Sequence, residues 1–299
     1  MKQLAIIGPT ASGKSKLALD LALTHNAVIL SIDSLSIYTD IDIASAKPTK
    51  EELSLTKHFG IDILPPNETA SVFTFIHEYY RARSYAQDND KNLIIVGGSS
   101  FYLKSMIDGL SHIPTIEDAV REEASVMLKD IQNAYRFLAK IDPDAMSTIT
   151  PADSYRIEKM LHLFLQTNTP PSQWFKMHPP LSVITHCPVL NIDVERAYLR
   201  ERIALRTQLM LHDGLIDEVA RCEQLYGRSP NSMKAIGMIE TLDYLDGKYS
   251  KQELIQRISM HTAQLAKRQQ TFNTHQFLLT ASKSVSELYS IGETLLQQS

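Results

Sequence analysis

The octapeptide Gly8-Pro9-Thr10-Ala11-Ser12-Gly13-Lys14-Ser15 fits G-x-x-x-x-G-K-[ST] at every fixed position. That spacing suits one chemistry, the holding of a diphosphate or nucleotide phosphate chain. The glycines let successive backbone N–H groups turn inward, and the N-terminus of the following helix adds partial positive charge. Lys14 reaches terminal phosphate oxygens, and Ser15 can ligate Mg²⁺, the expected cofactor. The motif requires a strand before it and a helix after it. Leu4 to Ile7 and Lys16 to Leu23 supply both.

The loop does not say whether the phosphate is transferred, hydrolysed or expelled. A base-reading N-K-x-D is absent, because no Asn in the chain precedes a Lys. The apolar run Leu93 to Val96, where a magnesium-holding Asp would close a strand, runs instead into Gly97-Gly98-Ser99-Ser100. An acid does close the second strand candidate, at Asp33. A carboxylate there faces the acceptor in small phosphate-loop enzymes and can take a proton from a nucleophile. The competing reading of Asp33 is an Asx turn or a helix cap.

The elements that must position these groups follow from the apolar pattern. Leu4 to Ile7, Val28 to Ile32, Leu93 to Val96, Val189 to Ile192 and Phe277 to Leu279 read as strands. Helical segments separate the early ones, which predicts an α/β fold, a P-loop-type parallel sheet core. Val120 to Leu138 and Ser154 to Leu165 show helical spacing with no strand between Pro114 and Pro179-Pro180. Residues 1–114 and 183–299 are thus expected to form the core, and 115–182 an all-helical insertion domain. Long helical patterns follow over Arg196 to Tyr226, Ser232 to Leu245 and Ser250 to Asn273, with Gly227 and Gly247 as terminators. Trp174-Phe175, in a proline-flanked loop, reads as an apolar plug at the domain junction rather than a base-stacking platform.

Composition limits the classes further. With 299 residues, 43% of them hydrophobic and 21% charged, the chain can bury a full core and is not a disordered one. Thirty Lys and Arg against 34 Asp and Glu give a net charge of -4, so nucleic-acid binding would need a local basic groove rather than a basic coat. Cys187 and Cys222 are too few for a disulfide framework or a four-ligand zinc site and read as reduced thiols. The apolar run at the N-terminus is too short for a signal sequence or membrane span. The expectation is a soluble, cytoplasmic protein, with no membrane association and no obligate protein partner.

The neighbours of Asp33 read Asp33-Ser34-Leu35-Ser36-Ile37-Tyr38 and then Asp42-Ile43-Ala44-Ser45-Ala46-Lys47-Pro48. Together with the phosphate loop, His58 to Asp62, Gly97-Gly98 and Ala266-Lys267-Arg268-Gln269, this pattern resembles the bacterial tRNA dimethylallyltransferases over almost the whole chain. The resemblance implies transfer of a dimethylallyl group from dimethylallyl diphosphate to N6 of the adenosine 3′-adjacent to the anticodon, with tRNA as partner and diphosphate released. It implies catalytic roles for Asp33, Thr10 and Arg206, the last from the match of Arg202, Arg206, Gly214 and Glu218-Val219 to a family pattern. It implies tRNA contacts at Asp33, Ser34, Leu35, Ser36, Ser99, Arg121, Tyr155, Arg156 and Lys159. Ala44-Ser45 stands where Gly-Thr is usual, Ser99-Ser100 for Thr-Gly, Tyr155 for Gln, Lys159 for Arg, Met238 for Tyr and Ala263 for Arg.

The chemistry also stands on the residues. An adenine N6 amine is a poor nucleophile and benefits from a base such as Asp33. The departing diphosphate needs preorganised donors in the loop amides, Lys14, Thr10 and an arginine. Arg156 and Lys159 share a helix face that can meet phosphates, as can Lys267-Arg268 near a helix end. Arg202 reads equally as a solvated residue paired with Glu201 or Asp213. The competing class is a small-molecule kinase of shikimate or nucleoside monophosphate type, which needs about 170 to 220 residues, within one ordinary domain, and leaves the insertion and late helices unused. A third, a non-catalytic nucleotide switch, lacks its base-reading motif.

Overall fold

A computed structural model describes residues 1–297. Its strands are β1 (Gln3–Ile7), β2 (Ala27–Ser31), β3 (His58–Phe59), β4 (Asn92–Gly97), β5 (Val189–Ile192) and β6 (Ala281–Lys283). They form one parallel sheet in the order β3-β2-β4-β1-β5-β6. The helices are α1 (Lys14–Thr24), α2 (Lys50–Leu55), α3 (Val72–Asp88), α4 (Ser100–Asp108), α5 (Asp118–Met127), α6 (Ile131–Ile141) and α7 (Pro143–Met146). There follow α8 (Ser154–Thr167), α9 (Pro171–Met177), α10 (Arg196–His212), α11 (Leu215–Tyr226), α12 (Met238–Leu245), α13 (Lys251–Gln276) and α14 (Val285–Gln297). None is long and apolar enough to cross a membrane among the described residues.

The central strands are buried on both faces, which is why they read as continuous apolar runs rather than alternating ones. Leu4, Ile6, Ile29, Ile94, Val96 and Leu190 pack against Leu17, Ala18 and Leu21 of α1 and Leu288 and Leu296 of α14. Ala5, Ile7, Val28, Leu30, Leu93 and Ile95 are just as buried, and α3 packs on β2 and β4. Because β1 lies between β4 and β5, the chain leaves β1, crosses over β4 and enters β2. The C-terminal ends of β1, β2 and β4 therefore meet where ligands bind in open α/β sheets. Gly97 allows that meeting, since a Cβ there would lie 2.6 Å from Ile32 Cγ1 and 2.8 Å from its carbonyl carbon.

The chain divides into two compact units, residues 1–107 with 184–299, and residues 108–183. The second contains α5 to α9 around Ala124, Ala134, Leu138, Met146, Ile157 and Leu161. Three of its helices begin at aspartates: Asp130, Asp142 and Asp153 each accept a backbone N–H at the N-terminus of α6, α7 and α8.

Several elements differ from the sequence reading. Phe277 to Leu279 is not a strand. Pairing with β5 begins at Thr280, whose N–H donates to Val189 O at 2.9 Å; Phe277 packs its ring against Phe272, while Leu278 is 98% exposed, so the run is covered at one end only. Val120 to Leu138 spans two helices, because the Asp130 cap starts α6 afresh. Arg196 to Tyr226 breaks at Gly214, whose φ of 103° suits glycine alone, and Ser232 to Leu245 breaks between a 3-10 turn (Asn231–Lys234) and α12. Trp174-Phe175 lies in α9 rather than a loop. Its indole Nε1 donates to His112 O at 2.8 Å and its ring stacks on His178 at 4.0 Å.

Candidate active site

The loop from Gly8 to Ser15 joins β1 to α1 with Ala11 and Gly13 in the left-handed region, at φ 63° and 96°. Lys14 and Ser15 form the first turn of α1, where the helix dipole adds to the lysine charge. Lys14 Nζ donates to Pro9 O at 3.0 Å. Burial holds Lys14 well below the usual lysine range, at about 8, with Asp33 opposing that shift and Arg206 reinforcing it. Arg206 reaches the loop from α10 and donates through Nη1 to Thr10 Oγ1 at 3.3 Å. Its guanidinium is also held down by burial, with Asp33 favouring and Arg202 disfavouring the charge.

Asp33 follows β2 by two residues and does what a turn residue does. Its Oδ1 accepts the N–H groups of Leu35 at 2.9 Å and Ser36 at 3.3 Å, an Asx turn. The turn uses one carboxylate oxygen, so it orients the group without exhausting it. The structural and chemical readings of Asp33 are therefore compatible. Ser99 Oγ accepts the Ser34 N–H at 3.0 Å and ties the end of β2 to the end of β4.

These groups border a cavity of about 480 Å³. Thr10, Lys14, Asp33, Ser34, Leu35, Ser99 and Arg206 all line it. Its apolar walls are Ile203, Thr207 and Met210 of α10 and Ile258, Thr262 and Leu265 of α13, residues three to four apart and so on one face of each helix. A smaller cavity of about 90 Å³ shares Thr10, Lys14, Asp33 and Arg206 and adds Ser15, Ser31, Ser36 and His58. Ser36 is 5% exposed and lines the small cavity rather than the large one.

Gln269 is the residue that sequence reasoning passed over. It stands in Ala266-Lys267-Arg268-Gln269, where the two cations drew the attention. Its Oε1 accepts the Thr10 N–H at 2.8 Å and its Nε2 donates to Gly98 O at 2.9 Å, a clamp across the ends of β1 and β4. One residue turns a helix by about 100°, so Lys267 and Arg268 point away from the large cavity. They also stand about two turns before the end of α13, so they do not serve its C-terminus. Arg202 pairs with neither Glu201 nor Asp213. It stacks on the Tyr198 ring at 5.6 Å and donates to its hydroxyl at 3.2 Å.

The remaining candidates lie in the helical unit. Arg156 pairs with Asp153 at 3.0 Å, Lys159 with Glu158 at 3.4 Å and Arg121 with Asp118 at 3.8 Å. All are surface pairs, which cost little to exchange for phosphate. Tyr155 is 69% exposed, with Lys159 Nζ 5.3 Å from its ring centre. Burial lowers the pKa of His162, with Glu158 opposing and Lys159 and Arg121 reinforcing, so both cations gather on one patch formed by α5 and α8.

No cluster of three or more His, Cys, Asp or Glu able to hold a metal occurs among the described residues. The donor set fits an ion shared between the Ser15 hydroxyl and phosphate oxygens of a ligand, the mode magnesium prefers.

A phosphate loop with an arginine on its rim, beside a carboxylate and a cavity with apolar walls, fits a phosphate-loop transferase. The model of the IPP transferase family matches residues 36–276, and the chain belongs to that family. It is 53% identical to the tRNA dimethylallyltransferase of Sulfurimonas denitrificans over 97% of this chain and 98% of that one. It is 51% identical to that of Sulfurovum sp., with 97% of each covered. Among solved structures it resembles the full-length tRNA isopentenylpyrophosphate transferase of Bacillus halodurans, at 28% identity and TM-score 0.70 over 99% of this chain and 97% of that one. A eukaryotic dimethylallyltransferase acting on tRNA superposes with TM-score 0.80 at 26% identity, covering 91% of this chain and 70% of that one. The chain is thus a prenyl-transferring enzyme that modifies tRNA, and the kinase and switch alternatives fall away.

Proposed function

We propose that the donor is dimethylallyl diphosphate, that the acceptor is N6 of the adenosine 3′-adjacent to the anticodon, and that the residues gathered at the sheet's C-terminal edge carry the reaction. The observation that carries this reading is the convergence of Thr10, Lys14, Asp33 and Arg206 on the mouth of one cavity with apolar walls. The amides of Gly8 to Ser15, with Lys14, Thr10 and Arg206, hold the diphosphate and stabilise the charge that grows on it as its bond to the allylic carbon breaks. The Ser15 hydroxyl would help hold Mg²⁺, which would supply Lewis-acid stabilisation of the leaving diphosphate. The walls of α10 and α13 take the hydrocarbon and exclude water from the allylic carbon. Asp33, oriented by its own turn, accepts the N6 proton as the new C–N bond forms.

Leu35, Ser34 and Ser99, which line the large cavity beside Asp33, meet the nucleotide, with Ser36 on the small cavity supporting them. Extracting the base from its stack costs roughly a few kcal/mol. The helical domain, residues 115–182 with Arg121, Tyr155, Arg156 and Lys159, offsets that cost by contacting the tRNA backbone. Incubating the enzyme with labelled dimethylallyl diphosphate and bulk unmodified tRNA, against ATP and a panel of small acceptors, tests the reading. Label is expected in tRNA alone and with no nucleoside triphosphate present. Transfer that depends on ATP, or label on a small acceptor, refutes it.

A further inference from the structure

The segment from Asp40 to Ala46 forms a wall common to both cavities: Ser45 lines each, Ala44 the large one and Ala46 the small one. It has no regular structure to hold it. Asp40 and Ala46, at its two ends, have φ of 60° and 48°, a left-handed conformation that non-glycine residues keep only when the surroundings impose it. One face of α11 anchors it from Asp40 to Ala44. Glu218 is 4% exposed, and its carboxylate accepts three consecutive backbone N–H groups: Asp42 and Ile43 on Oε2, both at 2.8 Å, and Ala44 on Oε1 at 2.9 Å. One turn on, Cys222 Sγ donates to Asp40 O at 3.2 Å, and one turn further Tyr226 Oη donates to Asp40 Oδ2 at 2.7 Å. Lys47 closes the far end, with its ammonium on Tyr38 O at 2.6 Å, Asp42 Oδ1 at 2.6 Å and Asp62 Oδ1 at 2.5 Å.

We propose that Glu218 is a positioning residue for the prenyl transfer, a buried carboxylate through which α11 sets the 42–44 backbone and thereby the acceptor-side wall of the cavity. This rests on the reading that Asp33 to Ser36 meet the tRNA adenosine while Gly8 to Ser15 hold the donor. The segment begins a few residues past the Asp33 turn, which closes at Ser36, and none of its residues belongs to the phosphate loop. Glu218 bonds none of the groups assigned to the diphosphate, so its loss is expected to act chiefly on the acceptor. Three charge-assisted bonds to one carboxylate are a strong, directional anchor, and its place in the first turn of α11 agrees with the helix dipole. An amide at this position has a single acceptor oxygen, so Glu218→Gln must release at least one of the three N–H groups.

The test pairs Glu218→Gln with Tyr226→Phe, which deletes only the outermost anchor and carries little folding risk. Amide hydrogen exchange should rise at Asp42, Ile43 and Ala44 in Glu218→Gln, with strand amides of β1 and β4 still protected. Donor affinity should stay within about twofold of the parent, whereas kcat/KM for tRNA falls by about 10²-fold, the effect of displacing a reacting partner by about 1 Å. Tyr226→Phe should move the same readouts in the same direction by a smaller factor. If exchange at 42–44 is unchanged, or rises with no loss in kcat/KM for tRNA, the positioning role is wrong while the assigned reaction stands. If donor affinity falls in step with tRNA turnover in both variants, the division of the cavity into donor and acceptor sides is wrong as well.

Discussion

Lys14 offers the sharpest quantitative test of the diphosphate assignment. Enclosed by its loop, with Arg206 adjacent and only Asp33 to offset the cost, it titrates at about 8 rather than at 10.5. A diphosphate brings negative charge to the ammonium and restores its proton affinity, so binding and protonation are linked. Near pH 7 about nine-tenths of the free enzyme carries the proton, and near pH 9 only about one-tenth. Affinity for dimethylallyl diphosphate should therefore fall about tenfold between those values. At about pH 8.5 each binding event should take up about 0.8 of a proton. The sign for the unliganded fold is opposite to that of a paired lysine. The unfolded chain holds the proton more tightly, so the fold's stability rises with pH between about 8 and 10.5. Calorimetric titration in two buffers of different ionisation enthalpy measures the uptake, and Lys14→Met provides the blank for the ligand's own protons. An uptake that survives in Lys14→Met, or an affinity flat from pH 7 to about 9, would refute the idea that Lys14 is the titrating group beneath the diphosphate.

Replacing Asp33 by Ala should slow single-turnover transfer by about 10² to 10⁴ while donor binding persists. A full chemical rate with weakened tRNA binding would make Asp33 a recognition residue. Changing Arg121, Arg156 and Lys159 together to Ala should weaken tRNA binding and flatten its dependence on salt, with donor affinity unaffected. An unchanged salt slope moves the tRNA contact away from α5 and α8. Asp142 caps α7 through Oδ1, to Ala145 N–H at 3.0 Å, and receives the Ser172 N–H on Oδ2 at 2.6 Å. Burial raises its pKa, but those bonds outweigh burial and hold the carboxyl below the usual range. Asp142→Ala should cost about 1 to 2 kcal/mol in denaturant melts near neutral pH, and the difference from the parent should shrink as pH falls through the carboxyl's titration. An equal cost at low pH would assign the loss to packing.

How much was legible in advance depended on the range of the interaction. The phosphate loop, the strands from β1 to β5 except β3 and the carboxylate after β2 could be read from the chain, because each is specified by neighbours a few residues away. A glycine spacing, an apolar run or an Asx turn carries its own geometry. The same locality made Lys267 and Arg268 look important, since charge is visible in a sequence and helix rotation is not. Phe277 to Leu279 failed for the converse reason: an apolar run becomes a strand only where an edge is free to pair, and pairing with β5 starts only past the run, at Thr280 and Ala281. Tertiary structure alone decided what crosses the fold. Gln269 reaches Thr10 across 259 residues, Arg206 reaches it across 196, and Glu218 holds Asp42 across 176. Those contacts are set by how α10, α11 and α13 pack over the sheet edge, a choice made by summed burial along whole helix faces. No local spacing encodes it. A residue's type announces that it can accept a proton or clasp a backbone, but which backbone it clasps is fixed only when the helix carrying it has docked.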